Sequence, residues 1–144
     1  MQIKADIVTK TGSGNTDISN INGSIDIKAG SGNLRVENSK IAELGVRLGS
    51  GQVVVSGELA NVDIRAGSGN INLTYEKTPL RGTATVRAGS GNVTFNLPEK
   101  SEIKVDFKAG SGKMFNEFVN NQNAEYKISM KAGSGNLNIK KTKN

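Results

Sequence analysis

The chain has 144 residues, a length typical of one domain with a sizeable core. It carries 19 lysine and arginine residues against 13 aspartate and glutamate residues, which gives a net charge of +6, and it contains 18 glycines but no histidine or cysteine. The absence of histidine and cysteine excludes catalysis by these residues, metal and haem sites that depend on them as ligands, and disulfides.

The start of the chain, residues 1–6, lacks the hydrophobic core that a secretion signal contains. No apolar run along the chain approaches the roughly 20 residues that a transmembrane helix needs. We therefore expect neither a signal nor a membrane span in this sequence, which leaves a cytoplasmic location open.

The chain is built of repeated units, which are described next. The first unit has Thr9 and Thr16 at positions that are apolar in later units. This substitution is typical of a solvated end unit.

A Gly-Ser-Gly triplet then recurs seven times, at intervals of 18 to 23 residues. The residue after the triplet is an amide in six cases and Lys113 in the other. We expect each triplet to form a corner, because glycine reaches positive φ without strain and lets stacked backbones approach closely. We also expect each amide to bond its counterpart in the next unit, as stacked amides do in cross-β assemblies. The predicted corner glycines are Gly12, Gly14, Gly30, Gly32, Gly49, Gly51, Gly67, Gly69, Gly89, Gly91, Gly110, Gly112, Gly133 and Gly135.

The segments that flank each triplet alternate between apolar and polar residues, as in 25–29 and 34–36. This alternation predicts short strands with one buried face, and no segment has a sustained helical period. A unit of about 18 residues cannot bury its apolar face alone, whereas stacked units bury a continuous core. We therefore predict an all-β, single-domain β-solenoid (a β-helix or β-roll) over 1–144, with about seven stacked coils. A propeller or a sandwich would not need the same tripeptide at one corner of every unit.

The longer coils carry inserts at 75–82, 98–101 and 116–124. Insertions in solenoid repeats map to loops on one side, so these inserts are predicted to be loops. The charged tail, 140–144, is expected at an open end of the solenoid, where it would oppose edge-to-edge pairing.

The repeated block [Lys/Arg]-Ala-Gly-Ser-Gly-Asn, together with Leu97-Pro98-Glu99 ahead of the next strand, resembles the bacterial adhesin-like β-strand repeat family. This family is known as domain of unknown function 4097, and related repeats occur in the head domains of autotransporter adhesins. The resemblance covers about residues 7–139. It implies a β-helical or β-roll fold and an extracytoplasmic or cell-surface setting, and some similar members belong to envelope-stress systems of Gram-positive bacteria. The family has no established catalytic or ligand-binding residues to transfer.

A cation stands two residues before every triplet. The seven are Lys10, Lys28, Arg47, Arg65, Arg87, Lys108 and Lys131. If coils stack in register, these side chains form a column that could bind a linear polyanion such as teichoic acid, or an anionic membrane surface. Alternatively, the long cationic stems shield the apolar corners and the charges oppose aggregation. The sequence favours this structural interpretation but leaves both open. Nucleic acid is disfavoured because base stacking needs exposed aromatic side chains, and the chain has only six phenylalanine and tyrosine residues.

The residues give little support to a phosphate-binding loop, a metal site or a cofactor site. Lys113 follows Gly-Ser-Gly, but the chain around it lacks the flanking glycine and serine or threonine of a phosphate-binding loop. No acidic column exists for calcium. Asp26, Asp63 and Asp106 share a repeat position, but Gly45 and Thr85 interrupt it. We predict no metal site and no cofactor.

The sequence thus predicts a non-enzymatic, adhesin-like interaction or display module whose partner is an envelope polymer, an anionic membrane or another protein. One alternative is an envelope-stress sensing module that binds polyanionic envelope components or cationic peptides. A more remote alternative is a glycan-acting β-helix enzyme, which would need convergent carboxylates.

Overall fold

The computed structural model describes residues 3–77, 81–118 and 123–142. The described residues form twelve β-strands and no helix, so they contain no helix of the length and apolarity that a bilayer crossing requires. The strands are β1 (Ile3–Thr11), β2 (Thr16–Ser19), β3 (Ile21–Ser31), β4 (Leu34–Ser50), β5 (Val53–Ala66), β6 (Ile71–Tyr75), β7 (Gly82–Ala88), β8 (Val93–Pro98), β9 (Ile103–Ser111), β10 (Met114–Asn116), β11 (Tyr126–Ser134) and β12 (Leu137–Thr142).

The strands wind into a solenoid of about seven coils, and all paired strands run parallel. Each coil contains one triplet, and we number the coils in chain order. The segments before the triplets stack into a leading face and the segments after them into a trailing face. This arrangement confirms the predicted all-β solenoid.

The core is built from columns of equivalent apolar side chains. One column on the trailing face runs through Leu34, Val53, Ile71 and Val93, which are paired in register and almost fully buried. Burial alternates residue by residue along much of β5, as the sequence pattern predicts. The end coil containing Thr9 and Thr16 is less buried, which agrees with its polar substitutions.

The corners bring glycine backbones into direct contact from coil to coil. A Cβ placed on Gly67 would lie 2.6 Å from the carbonyl oxygen of Gly49 in the coil below. The backbone N–H of Ser68 donates a hydrogen bond to the same oxygen at 3.1 Å. The first glycine of the triplet is therefore needed for this close approach.

The coils are not stacked in chain order. The seventh coil lies between the fifth and the sixth, because β11 pairs with both β7 and β9, and β12 pairs with both β8 and β10. The charged tail was expected at an open end, and its described part lies close to one. Lys140 and Lys141 pair with β8 on one side, whereas β10 covers β12 on the other side only as far as Ile139. Lys143 and Asn144 lie outside the described residues.

The residue after each triplet accounts for this order. The side-chain oxygen of Asn33 accepts a hydrogen bond from the backbone N–H of Gln52, and that of Asn92 accepts from the N–H of Asn136. The amide thus bonds its counterpart in the next coil, as expected, and it does so through the backbone N–H of that residue. Lys113 donates its N–H to Asn136 Oδ1 at 2.9 Å, and no coil of the described residues stacks beyond it. A side chain without an amide is therefore tolerated in the sixth coil.

The chain after β10 closes this end of the core. Phe118 is buried, and its N–H donates to Asn116 Oδ1 at 2.9 Å. Lys141 places its Nζ 5.4 Å from the centre of the Phe118 ring and donates its N–H to Glu117 Oε1. The insert predicted as a loop at 116–124 thus contributes a core residue, although 119–122 lie outside the described residues.

Two buried tyrosines interrupt the aliphatic core. The hydroxyls of Tyr75 and Tyr126 share a hydrogen bond, and their rings meet edge to face with centroids 5.6 Å apart. Burial raises the pKa of Tyr75 well above its ordinary value, and the proximity of Tyr126 raises it further. Burial also raises the pKa of Tyr126, with an opposing effect of its hydrogen bond to Tyr75. Both hydroxyls therefore stay protonated in the folded chain.

We expect this pair to make the fold sensitive to alkali. Tyrosine titrates near pH 10 in an unfolded chain, so above that pH the unfolded state loses protons that the folded state keeps. The stabilisation is complete below pH 10 and declines as the pH rises toward the folded pKa values, by about 2.7 kcal/mol per pH unit for two groups. The free energy of unfolding, measured with urea across this pH range, should decline with this slope. In a Tyr75→Phe/Tyr126→Phe variant the contribution of the tyrosines to the slope should be absent. Parallel curves for the two proteins would contradict the prediction.

Candidate functional site

The seven cations predicted from the repeat form one continuous column on the leading face. Their order in space is Lys10, Lys28, Arg47, Arg65, Arg87, Lys131 and Lys108, each paired in register with the next. With about 4.8 Å between paired strands, the column extends over about 29 Å. The one departure from the sequence order is that Lys131 stands between Arg87 and Lys108, because the seventh coil is inserted.

All seven side chains are exposed. Cations elsewhere form ion pairs, as Lys77 does with Glu58 at 2.8 Å and Arg81 with Glu125 at 3.1 Å. Among the residues that the structure describes, no member of the column forms an ion pair with a carboxylate. The column therefore keeps its charges available to solvent and to ligands.

A groove runs beside the column and has a volume of about 1060 Å³. Each of six coils lines it with the column cation, the residue after that cation and the first glycine of the triplet. In the fourth coil these residues are Arg65, Ala66 and Gly67. The floor of the groove consists of glycine and, in most coils, alanine. An extended ligand could therefore approach the backbone closely, with the cations along one side of the groove. The sequence identified the cations and the corner glycines but did not show that they line a shallow, open groove.

The acidic residues of the leading face do not form a comparable column. Asp26 pairs with Gly45, and Gly45 pairs with Asp63. Asp63 then pairs with Thr85, and Asp106 lies two coils further on. The sequence analysis anticipated this interruption. Within 3–77, 81–118 and 123–142 there is no group of three acidic side chains placed to hold a metal ion.

The predicted inserts differ from simple loops where they are described. Tyr75 is buried at the end of β6, and Pro98 is buried at the end of β8, opposite Thr142. Glu76, Lys77 and Arg81 are exposed, whereas 78–80 lie outside the described residues. The exposed parts of the inserts are therefore shorter than the sequence predicted.

A parallel β-solenoid with glycine corners defines this chain as a repeat protein, and its candidate site is the column of cations on its surface. The chain belongs to the Toastrack DUF4097 family, whose model matches residues 3–143. This match confirms the family resemblance seen in the sequence.

The fold is similar to that of a proposed cell adhesion protein from Clostridium sporogenes, known from a crystal structure. The TM-score is 0.53 at 13% sequence identity, over 98% of this chain and 93% of that chain. At this identity the likeness supports the fold alone. No curated protein is significantly similar to the chain.

Proposed function

We propose that this chain is a non-enzymatic, adhesin-like interaction module that binds a linear polyanion of the cell envelope along its cation column. The observation that carries the proposal is the uniform sign of the column. Seven in-register positions are all lysine or arginine, and none is paired with a carboxylate among the described residues.

Such a column works against stability of the fold. Like charges directly opposite each other on neighbouring strands are destabilising, whereas opposite charges or neutral polar residues would favour pairing. Protection against aggregation needs outward charges, but it does not need one sign in every coil. A ligand of opposite charge gives a reason for the uniform sign that solubility does not.

The repeating geometry indicates the shape of the ligand. Six of the seven coils offer a lysine or an arginine beside the glycine floor, at about 4.8 Å intervals along the stacking direction. A flexible linear polymer with regularly spaced anionic groups, such as teichoic acid, can lie along that line and contact several coils at once. We therefore expect affinity to increase with polymer length until the ligand spans the column of about 29 Å.

The comparisons support the cellular setting of this proposal. Family membership and the likeness to a proposed cell adhesion protein fit a module at the bacterial surface.

Neutralising the centre of the column tests the proposal. We expect Arg47→Gln/Arg65→Gln/Arg87→Gln to weaken binding of synthetic poly(glycerol phosphate) about 100-fold at low salt, taking about 1 kcal/mol for each cation. The salt dependence should also become shallower, by about two in log K against log salt. Titration calorimetry at two ionic strengths measures both effects. The stability of the variant should stay the same or increase, because like-charge repulsion is relieved.

A matched control is Arg35→Gln/Lys40→Gln/Lys100→Gln, which removes the same net charge from exposed positions outside the column. This control should retain most of the affinity. Equal losses for the two triple variants would mean that net charge alone attracts the polymer. Absence of binding by the unaltered protein at any ionic strength would refute the proposal.

A second candidate function has one observation in its favour. Asp6, Asp26, Glu43 and Asp63 border a shallow depression of about 740 Å³ around Gly45 on the leading face, and Arg47, Arg65 and Arg87 of the column border it as well. The four carboxylates are the groups there that could bind a cationic peptide, as an envelope-stress sensing module would require. Binding of an oligolysine that Asp26→Asn/Asp63→Asn abolishes, without binding of poly(glycerol phosphate), would select this function.

A further inference from the structure

The spatially last coil exposes two consecutive large apolar residues, one at a core position and one at an outward position. Met114 is 41% exposed and Phe115 is 60% exposed, and both belong to the short strand β10. The core position of Met114 is buried in the preceding coils, at Leu137 and Val93. Met114 is exposed because the described residues place no coil beyond it.

The exposure of Phe115 does not result from the uncovered end of the core, because Phe115 occupies an outward position. Its counterparts along the trailing face are Asp17, Arg35, Val54, Asn72, Thr94 and Asn138. Five of these six are polar or charged, as an exposed strand position requires, and none is aromatic. Only the terminal coil places an aromatic ring in this solvent-facing column.

The same end of the solenoid is strongly basic. The sixth and seventh coils, 103–118 and 126–142, contain seven lysines and only two carboxylates, whereas the first two coils, 3–37, contain four of each sign. Lys113 precedes Met114 directly, and Lys140 follows Ile139, which pairs with Asn116 at the end of β10. Two consecutive exposed apolar residues thus lie among lysines at this end of the solenoid, whereas the first coil exposes a single valine, Val8, between Asp6 and Lys10.

We propose that this end, which we call the basic tip and define by Lys113, Met114, Phe115, Lys140 and Lys141, docks on an anionic lipid membrane. Aromatic and apolar side chains surrounded by lysines suit the membrane interface, where rings enter the headgroup region and ammonium groups contact anionic lipids. A protein partner with an acidic surface would also attract these lysines. Here, however, the lysines surround a small exposed apolar tip, which is the arrangement that a membrane interface favours. The solenoid would then stand on the membrane and point its first coil away from it. This proposal is independent of polymer binding by the column.

A fluorescent reporter tests the basic tip directly, because the natural chain has no tryptophan. We expect Phe115→Trp to show a blue-shifted emission and quenching by brominated lipid with vesicles of equal parts phosphatidylglycerol and phosphatidylcholine. Phosphatidylcholine vesicles alone should produce no shift. The matched control is Val54→Trp, in the same outward column four coils away and 38% exposed in the natural chain. An indole at position 54 should remain in water.

The same vesicles allow an affinity measurement. Phe115→Asn places in the sixth coil the residue that Asn138 and Asn72 supply elsewhere, so the fold should be retained. We expect it to reduce the fraction of protein that floats with anionic vesicles, with partitioning lowered on the order of tenfold. Poly(glycerol phosphate) binding should be unchanged in this variant.

Any of four outcomes would overturn the proposal. One is vesicle binding while the indole at position 115 stays in water, and another is equal shifts at positions 54 and 115. The third is a blue shift at position 115 that needs no vesicles and rises with protein concentration, which would assign the tip to contact between two copies. Loss of vesicle binding in the Arg47→Gln/Arg65→Gln/Arg87→Gln variant, with Phe115→Asn unaffected, would place the membrane along the cation column instead.

Discussion

Gly69→Ala is expected to destabilise the protein by at least about 3 kcal/mol. Gly69 has a φ of +119°, which an alanine adopts only with strain, and a Cβ there would collide with the carbonyl oxygen of Gly51 in the neighbouring coil. Strained backbone costs of order 1–3 kcal/mol, and forcing atoms into a packed site costs a similar amount. Against a total stability of roughly 5–15 kcal/mol, this loss is large enough to unfold a marginal domain.

The matched control for this change is Gly14→Ala. Gly14 has the same place in the triplet and a φ of +111°, but a Cβ there would meet no atom within 4 Å, because the first coil is the end of the stack. Its cost should be the backbone strain alone, about 1–3 kcal/mol. The free energies of unfolding of the two variants are measured with urea. The difference between their losses is the cost of the coil-to-coil collision. Equal losses would mean that the corners do not stack as closely as described.

The second large effect concerns the order of the last three coils. The variant Ser90→Cys/Ser134→Cys should form a disulfide almost completely on mild oxidation, and so should Ser111→Cys/Ser134→Cys. Ser134 pairs in register with Ser111, and its N–H bonds the carbonyl oxygen of Gly89 on the other side. Neighbouring coils bring equivalent Cα atoms to about 4.8 Å, within the range that a disulfide bridges.

The variant Ser90→Cys/Ser111→Cys should remain reduced. These two serines belong to coils that are separated by the seventh coil, so their Cα atoms lie about 9.6 Å apart, beyond the reach of a disulfide. Thiol titration and mass measurement give an unambiguous result because the natural chain contains no cysteine. If the coils were stacked in chain order, the 90–111 pair would crosslink and the 90–134 pair would not.

The cation column and the basic tip are complementary in position. The column runs along one edge of the leading face, parallel to the stacking direction, whereas Met114 and Phe115 lie on the last coil at one end. A solenoid held at its basic tip would orient the column away from the membrane surface. An envelope polymer that extends from the same membrane could then lie along the column, so the two proposals are mutually compatible while their tests remain separate.

Much of the site could be predicted from the sequence because the repeat is translational. In a solenoid each unit contacts only its neighbours, so equal positions in successive repeats become neighbours in space. The alternation of Ile25, Asp26 and Ile27 was enough to assign strands and buried faces, and the constant place of the cation was enough to predict the column. The groove could not be predicted, because its depth depends on how the corner backbones pack.

The sequence by itself determined that this protein is an all-β solenoid with glycine corners and a column of seven cations. Only the tertiary structure decided that the seventh coil lies between the fifth and sixth, that Tyr75 meets Tyr126 across 51 residues of chain, and that Phe115 lies at an uncovered end. The physical reason is that all coils share the same corner, so the local pattern allows the sixth or the seventh coil to stack on the fifth. Lys113 in place of an amide is the one local signal of which coil is last, and its meaning depends on a hydrogen-bond ladder that the fold creates.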